Sequence, residues 1–206
     1  MPRIPAVAVI AVSLMFLALA PAAAQDDVVV EANAPDPALC TLDARTIEEI
    51  RELVAAGTPV PAVSPTPLPD PFVMPEGMAL SEEERAEVEK DLLRAISCFN
   101  TGDPLKVFAV YTDDYVVELI ERLGGLTDEA ELVLTNIRPM ETSDYIVVLA
   151  ILDAVLLDDG RVLVVVSGDD PSDESPPGPR VFYLEEVLPG RWLIDEFFEV
   201  ELQEGG

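Results

Sequence analysis

An α+β domain, with helices packed on one face of an antiparallel sheet, is what the order of residues predicts. Two capping boxes, Thr46-Ile47-Glu48-Glu49 and Ser81-Glu82-Glu83-Glu84, start helices in the first part of the chain. Beyond Gly125 the apolar period changes from helical to alternating or continuous, with turn residues between the runs. Helices first and strands afterwards is the order that segregates helices to one side of an antiparallel sheet.

The chain opens on an export pattern. Arg3 precedes an apolar stretch from Ala6 to Ala20, and Pro21 leads into Ala22-Ala23-Ala24 before Gln25-Asp26-Asp27. A stretch of about 15 apolar residues is short of the roughly 20 that a permanent membrane helix needs. Residues 1–24 therefore read as a signal peptide cleaved before Gln25, with an uncleaved anchor as the alternative. Cys40 follows Ala38-Leu39 and does not end the apolar stretch, so it is a poor site for lipid attachment. The expected location is secreted or extracytoplasmic, in the cell envelope, with no membrane association after cleavage.

Residues 25–79 read as an acidic and proline-rich extension. Gln25 to Ala38 is a lead, and Thr46 caps a short helix with Ile47, Ile50, Leu53 and Val54 on one face, ended by Gly57. Seven prolines between Gly57 and Gly77 exclude helix and sheet interior and favour an extended strap. Residues 80–203 form the α+β domain. Its longest helix runs from the Ser81 cap to about Asn100, with Val88, Leu92, Ile96 and Phe99 facing a core. Asp103-Pro104 starts a short helix to about Tyr111, and Thr112-Asp113-Asp114 starts another that stops at Gly124-Gly125. Strands are expected near 131–138, 145–157, 161–168, 180–188 and 191–202. Asp158-Asp159-Gly160 and Pro189-Gly190 suit tight turns, and Asp169 to Pro179 is a longer polar loop.

Forty acidic residues against twelve basic ones give a net charge of -28, and removal of residues 1–24 takes away Arg3 and no acid. Such a chain repels nucleic acid and anionic membrane surfaces, and no basic patch with interleaved aromatics reverses this. Solubility in an exposed compartment is the plain explanation of the acidity, and cation capture the sharper one. Asp169 to Ser175 has carboxylates enough for calcium but lacks the EF-hand spacing and glycine, so a solvated acidic loop is expected and no metal.

Cys40 and Cys98 are the two cysteines. In an oxidising compartment they are expected to pair, two buried thiols being the alternative. Paired, they require the proline strap to wrap back along the body. With no histidine and two thiols a zinc site is not expected, and a serine-histidine-aspartate triad is impossible. P-loop, dinucleotide fingerprint and nucleophile elbow are all missing, so no cofactor is expected.

The run Cys98-Phe99-Asn100-Thr101-Gly102-Asp103-Pro104-Leu105, followed by Tyr111-Thr112-Asp113-Asp114-Tyr115 and later by Gly190-Arg191-Trp192-Leu193-Ile194, resembles the nuclear-transport-factor-2-like superfamily of SnoaL-like proteins and ketosteroid isomerases. The resemblance implies a strongly curved, cone-like sheet whose mouth is a ligand pocket, and a homodimer formed through the sheet. Tyr111, Tyr115 and Trp192 would line that pocket, core packing being the alternative for the tyrosines. It implies a secreted module that binds a small apolar or amphipathic molecule or a protein partner without catalysis.

Two acids interrupt apolar strand faces. Strict alternation puts Asp153 with Val147, Leu149, Ile151, Val155 and Leu157, and Glu196 with Trp192, Ile194, Phe198 and Val200. A carboxyl in an apolar pocket has a raised pKa suited to proton transfer. By the same resemblance, Asp153 and Glu196 with Tyr111 or Tyr115 form the candidate catalytic set of an isomerase or lyase, the alternative function. A β-bulge near Asp195-Glu196 would turn the glutamate to solvent, and Asp153 could equally pair with Arg138.

Overall fold

The computed structural model describes residues 34–57, 72–169, 171 and 178–200. The expected signal segment 1–24, the lead as far as residue 33, strap residues 58–71, residues 170 and 172–177 of the acidic loop, and the end of the last expected strand and of the domain beyond residue 200 lie outside the described residues.

Helices start where side-chain oxygens can take the first free N–H groups. Thr46 opens α1 (Ile47–Ala56) with a complete capping box, its Oγ1 accepting from Glu49 N at 3.1 Å while Glu49 Oε2 accepts from Thr46 N at 2.7 Å. Ser81 and Glu84 do the same for α2 (Glu82–Phe99). Asp103 caps α3 (Pro104–Phe108), and Thr112 caps α4 (Asp113–Arg122). The expected strand at 131–138 is instead α5 (Asp128–Leu134), capped by Thr127 with Asp128 and Glu129 in its first turn. The short apolar run Leu132-Val133-Leu134 fits either period, and the cap with its acidic first turn decides for helix.

The sheet is an antiparallel meander in the order β1 (Met78–Ala79), β2 (Val147–Leu156), β3 (Val162–Asp169), β4 (Gly178–Leu188) and β5 (Arg191–Glu199). It is open, with β1 and β5 as its edges, and it is not strongly curled. The α+β layout is therefore correct and the cone-like curvature is not. A two-residue β1 cannot reach round to meet β5, and the space a cone would leave hollow is filled by side chains. Val162, Val164, Val166, Phe182, Leu184 and Ile194 pack from the sheet against Val88, Leu92, Ile96, Tyr115 and Ile120 of α2 and α4.

The opposite face of the sheet is covered as well. Leu163, Val165 and Val181 pack under Phe72, 8% exposed, with Met74 and Tyr183 beside them. Burying a phenylalanine contributes about 2 to 3 kcal/mol. Phe72 comes from the described end of the proline strap, and its position explains why β3 carries the continuous apolar run Val162 to Val166.

Three fastenings hold the N-terminal segment to the body, two at the end of α2 and one at α3 and the start of α4. Cys40 and Cys98 form a disulfide across a sequence separation of 58. The buried Asn100 amide donates to Pro35 O at 3.0 Å and to Ile146 O at 3.2 Å, and its Oδ1 accepts from Ile146 N at 2.8 Å. Arg45 donates to the carbonyls of Phe108 and Tyr111, both at 2.9 Å, and pairs with Asp113 at 2.7 Å. Next to Asn100 the carbonyl of Gly102 (φ 68°) accepts a hydrogen bond from Arg138 N at 3.0 Å, and an added Cβ would stand 1.8 Å from Arg138 O. Only glycine fits there.

Candidate functional site

Tyr111, Tyr115 and Trp192 are buried in the main core and line no cone mouth. Tyr111 sits edge-on between Phe108 and Tyr115, with ring centroids 6.2 and 5.1 Å away, and Tyr115 continues the row to Phe197 at 6.4 Å. Burial pushes the Tyr115 phenol up to about 12 and raises that of Tyr111 further, with Tyr115 adding to the second shift. Neutral, close-packed phenols of this kind are structural.

The two strand acids do not converge. A break in register between Ile151 and Asp153 turns Asp153 opposite Val165, on the face that Phe72 covers, while Ile151 and Ala154 stay on the helix face. The bulge absorbs Leu152, and the Asp153 carboxylate accepts the N–H of Ala154 at 2.8 Å. Asp153 aligns across the sheet with Val165, Val181 and Phe198 in turn, three strand spacings from β5. That separates it from Glu196 by roughly 15 Å, and the sheet stands between Asp153 and the tyrosines. The proton-transfer set is therefore not assembled.

Glu196 lies opposite Tyr183, because a second break in register, between Tyr183 and Leu184, leaves Asp195 as the extra residue on β5. Its carboxyl is raised above the ordinary value, first by partial burial and then by the charge of Glu118. The bulged Asp195 is a structural joint. Its Oδ1 accepts from Thr112 Oγ1 at 3.0 Å, and its Oδ2 takes Arg161 Nη1 at 2.9 Å. Arg161 reaches it across β4, with its guanidinium 4.9 Å from the centre of the Tyr183 ring, and also holds Asp159. The joint thus ties the β2–β3 turn, β5 and the start of α4 together. Sequence alternation cannot show it, since the bulge exists only in pairing.

Several large apolar residues are exposed among the described residues, and three of them lie close together in the sequence around α5. Leu132 and Val133 on the outer side of α5, and Ile137 just beyond it, are 70%, 61% and 57% exposed. The inner side of α5 is anchored by buried Leu134 and by Glu131, which binds Arg51 of α1 at 2.7 Å. Leu132 and Val133 therefore face outward from a fixed helix with exposed Asp128 and Glu129 at its start, and Ile137 follows it beside exposed Arg138, with Glu141 beyond.

No family model matches the chain, no curated protein matches it, and no solved structure matches its fold. The resemblance to the nuclear-transport-factor-2-like and SnoaL-like proteins is thus unsupported by comparison and contradicted by the open sheet. The pocket-binding module that it implied, and the isomerase or lyase reading beside it, lose the cone on which both depended. Among the described residues, no cluster of three or more cysteine or acidic side chains is arranged to hold a metal ion, and no helix is long and apolar enough to cross a membrane.

Proposed function

We propose that the chain is an extracytoplasmic protein-recognition domain whose α5 ridge engages a cationic, amphipathic segment of another protein. The observation that carries this reading is the outward run Leu132, Val133 and Ile137 on a chain of net charge -28. A contiguous exposed apolar patch rimmed by charged residues marks an interaction surface. Strong like charge disfavours a second copy as the occupant and favours a basic partner. The export pattern of residues 1–24 and the Cys40–Cys98 disulfide support a location outside the cytoplasm.

Fluorescence anisotropy with a labelled helical peptide of leucine and lysine at helical spacing tests the reading, with an all-lysine peptide as control. The amphipathic peptide is expected to bind, to weaken as salt rises, and to lose about tenfold in affinity when Leu132→Ser and Val133→Thr are combined. Equal binding of both peptides, unchanged affinity in the double variant, or no binding would overturn it.

A further inference from the structure

A groove of about 470 Å³ lies between α1 and the start of β5, and no residue of α5 lines it. Its volume is in the range of small-molecule sites. Leu53 of α1, Ala109 after α3 and Leu193 of β5 supply an apolar floor. Two of the charged residues on its wall are already committed: Arg45 to the Phe108 and Tyr111 carbonyls and Asp113, and Glu49 to the capping box. The others are not. Arg191 keeps a buried Nε without a hydrogen-bond partner, and it forms no ion pair among the described residues, although acids outnumber basic residues 40 to 12. Asp43 and Glu52, also on the wall, likewise have no side-chain partner among the described residues.

The Arg191 Nε is closed to solvent, so a ligand in the groove would meet the terminal Nη groups of the guanidinium. A free guanidinium on the sheet side, free carboxylates on the helix side and an apolar floor between them complement a molecule with the converse pattern. We infer that this groove is a binding site for an apolar zwitterion, a free amino acid or a dipeptide. Its carboxylate is held by Arg191, its ammonium by Glu52 and Asp43, and its side chain rests on Leu53 and Leu193. Arginine suits this role because its planar fork meets both oxygens of a carboxylate.

Calorimetric titration of the full chain, with its disulfide intact, tests the inference with four probes. They are L-leucine, the dipeptide Leu-Leu, leucinamide, which has no carboxylate, and isocaproate, which has no ammonium. At least one of the two zwitterions is expected to bind with a Kd of about 1 mM or tighter, and both truncated probes about tenfold more weakly. Arg191→Gln is expected to weaken the zwitterion about tenfold with an unchanged circular dichroism spectrum. Should that variant fail to fold, Arg191→Lys and Glu52→Gln must each weaken it. No binding by either zwitterion, isocaproate binding as well as leucine, or affinity unmoved by these substitutions would overturn the site.

Discussion

The carboxylate of Asp91 accepts the backbone N–H of Trp192 at 2.7 Å and so ties the middle of α2 to the beginning of β5. Asp91 is 4% exposed, and its other oxygen holds Arg94 at 2.9 Å. One buried side chain therefore fixes the register of the longest helix on the last strand.

Removing one member of a buried, hydrogen-bonded charge pair costs more than the pair contributes, because the survivor is left uncompensated. Asp91→Ala is expected to lower stability by about 3 kcal/mol in urea unfolding, with an unchanged denaturant slope. Asp91→Asn keeps an acceptor for Trp192 N–H and should recover part of the loss. A cost for Asp91→Ala within about 0.5 kcal/mol of zero would rule out the anchoring role.

Glycine replacement separates two kinds of strain. At Gly102 an added Cβ meets the Arg138 carbonyl at 1.8 Å, whereas at Gly160, also at positive φ, it meets nothing within 4 Å. Gly160→Ala should cost about 1 kcal/mol through backbone conformation alone. Gly102→Ala should cost at least about 3 kcal/mol or prevent folding, since conformation and collision add. Thermal unfolding of the two variants side by side gives the comparison, and equal midpoints would contradict it.

The Cys40–Cys98 bridge closes a long loop. In the chain-entropy account its removal by Cys40→Ser with Cys98→Ser costs about 4 kcal/mol. Asn100 and Arg45 continue to hold the same segment, so the variant should unfold at lower urea while keeping native circular dichroism. A variant as stable as the oxidised parent would show that the fastenings at Asn100 and Arg45 make the bridge redundant.

Glu196 and the core tyrosines act on stability at opposite ends of the pH scale. The carboxyl of Glu196 is raised in the fold, so its proton is held more tightly there than in the unfolded chain. Its contribution is fully present below the ordinary glutamate range and is lost as pH rises through that range toward the folded value. Glu196→Gln should therefore stabilise at neutral pH and change little in acid, and a gain over the parent no larger at pH 7 than at pH 3 would refute this. Tyr115, at about 12, and Tyr111 keep their protons when an unfolded phenol has lost its own. Stability should accordingly fall as pH rises above about 10, and phenolate absorbance at 295 nm should appear together with unfolding.

Four of the five α-helices among the described residues are legible from local signals, while α5 reads as a strand although Thr127 caps it three residues away at Ala130 N. Thr46, Ser81, Asp103 and Thr112 each sit within three residues of the backbone group they cap, so the order of residues contains the whole interaction. Features that depend on strand pairing are legible at most as alternatives, as with the bulge near Asp195-Glu196. Alternation places Asp153 and Glu196, and extra residues in the pairing move them relative to their neighbours: Leu149 and Leu152 on β2, and Asp195 on β5. Asn100 reads as a helix stop, yet its amide spans 65 residues to Pro35 and 46 to Ile146, which no local pattern announces. The cone rested on a turn motif that helix termini explain alone: Asn100 to Asp103 end α2 and cap α3 in any α+β arrangement.

The disulfide also sets how the molecule bears mechanical load. A pull on the chain ahead of Pro35 first meets the Asn100 hydrogen bond, and then passes from Cys40 to Cys98 through a covalent link. Tension consequently bypasses everything between these cysteines, including α1, Phe72, β1 and most of α2, and enters the body at the end of α2. The α1 wall of the groove and the Phe72 cover stay off the load path until the sheet itself yields. In single-molecule stretching the oxidised chain should lengthen by the contour of the remaining residues alone, and reduction should add the loop as a separate step.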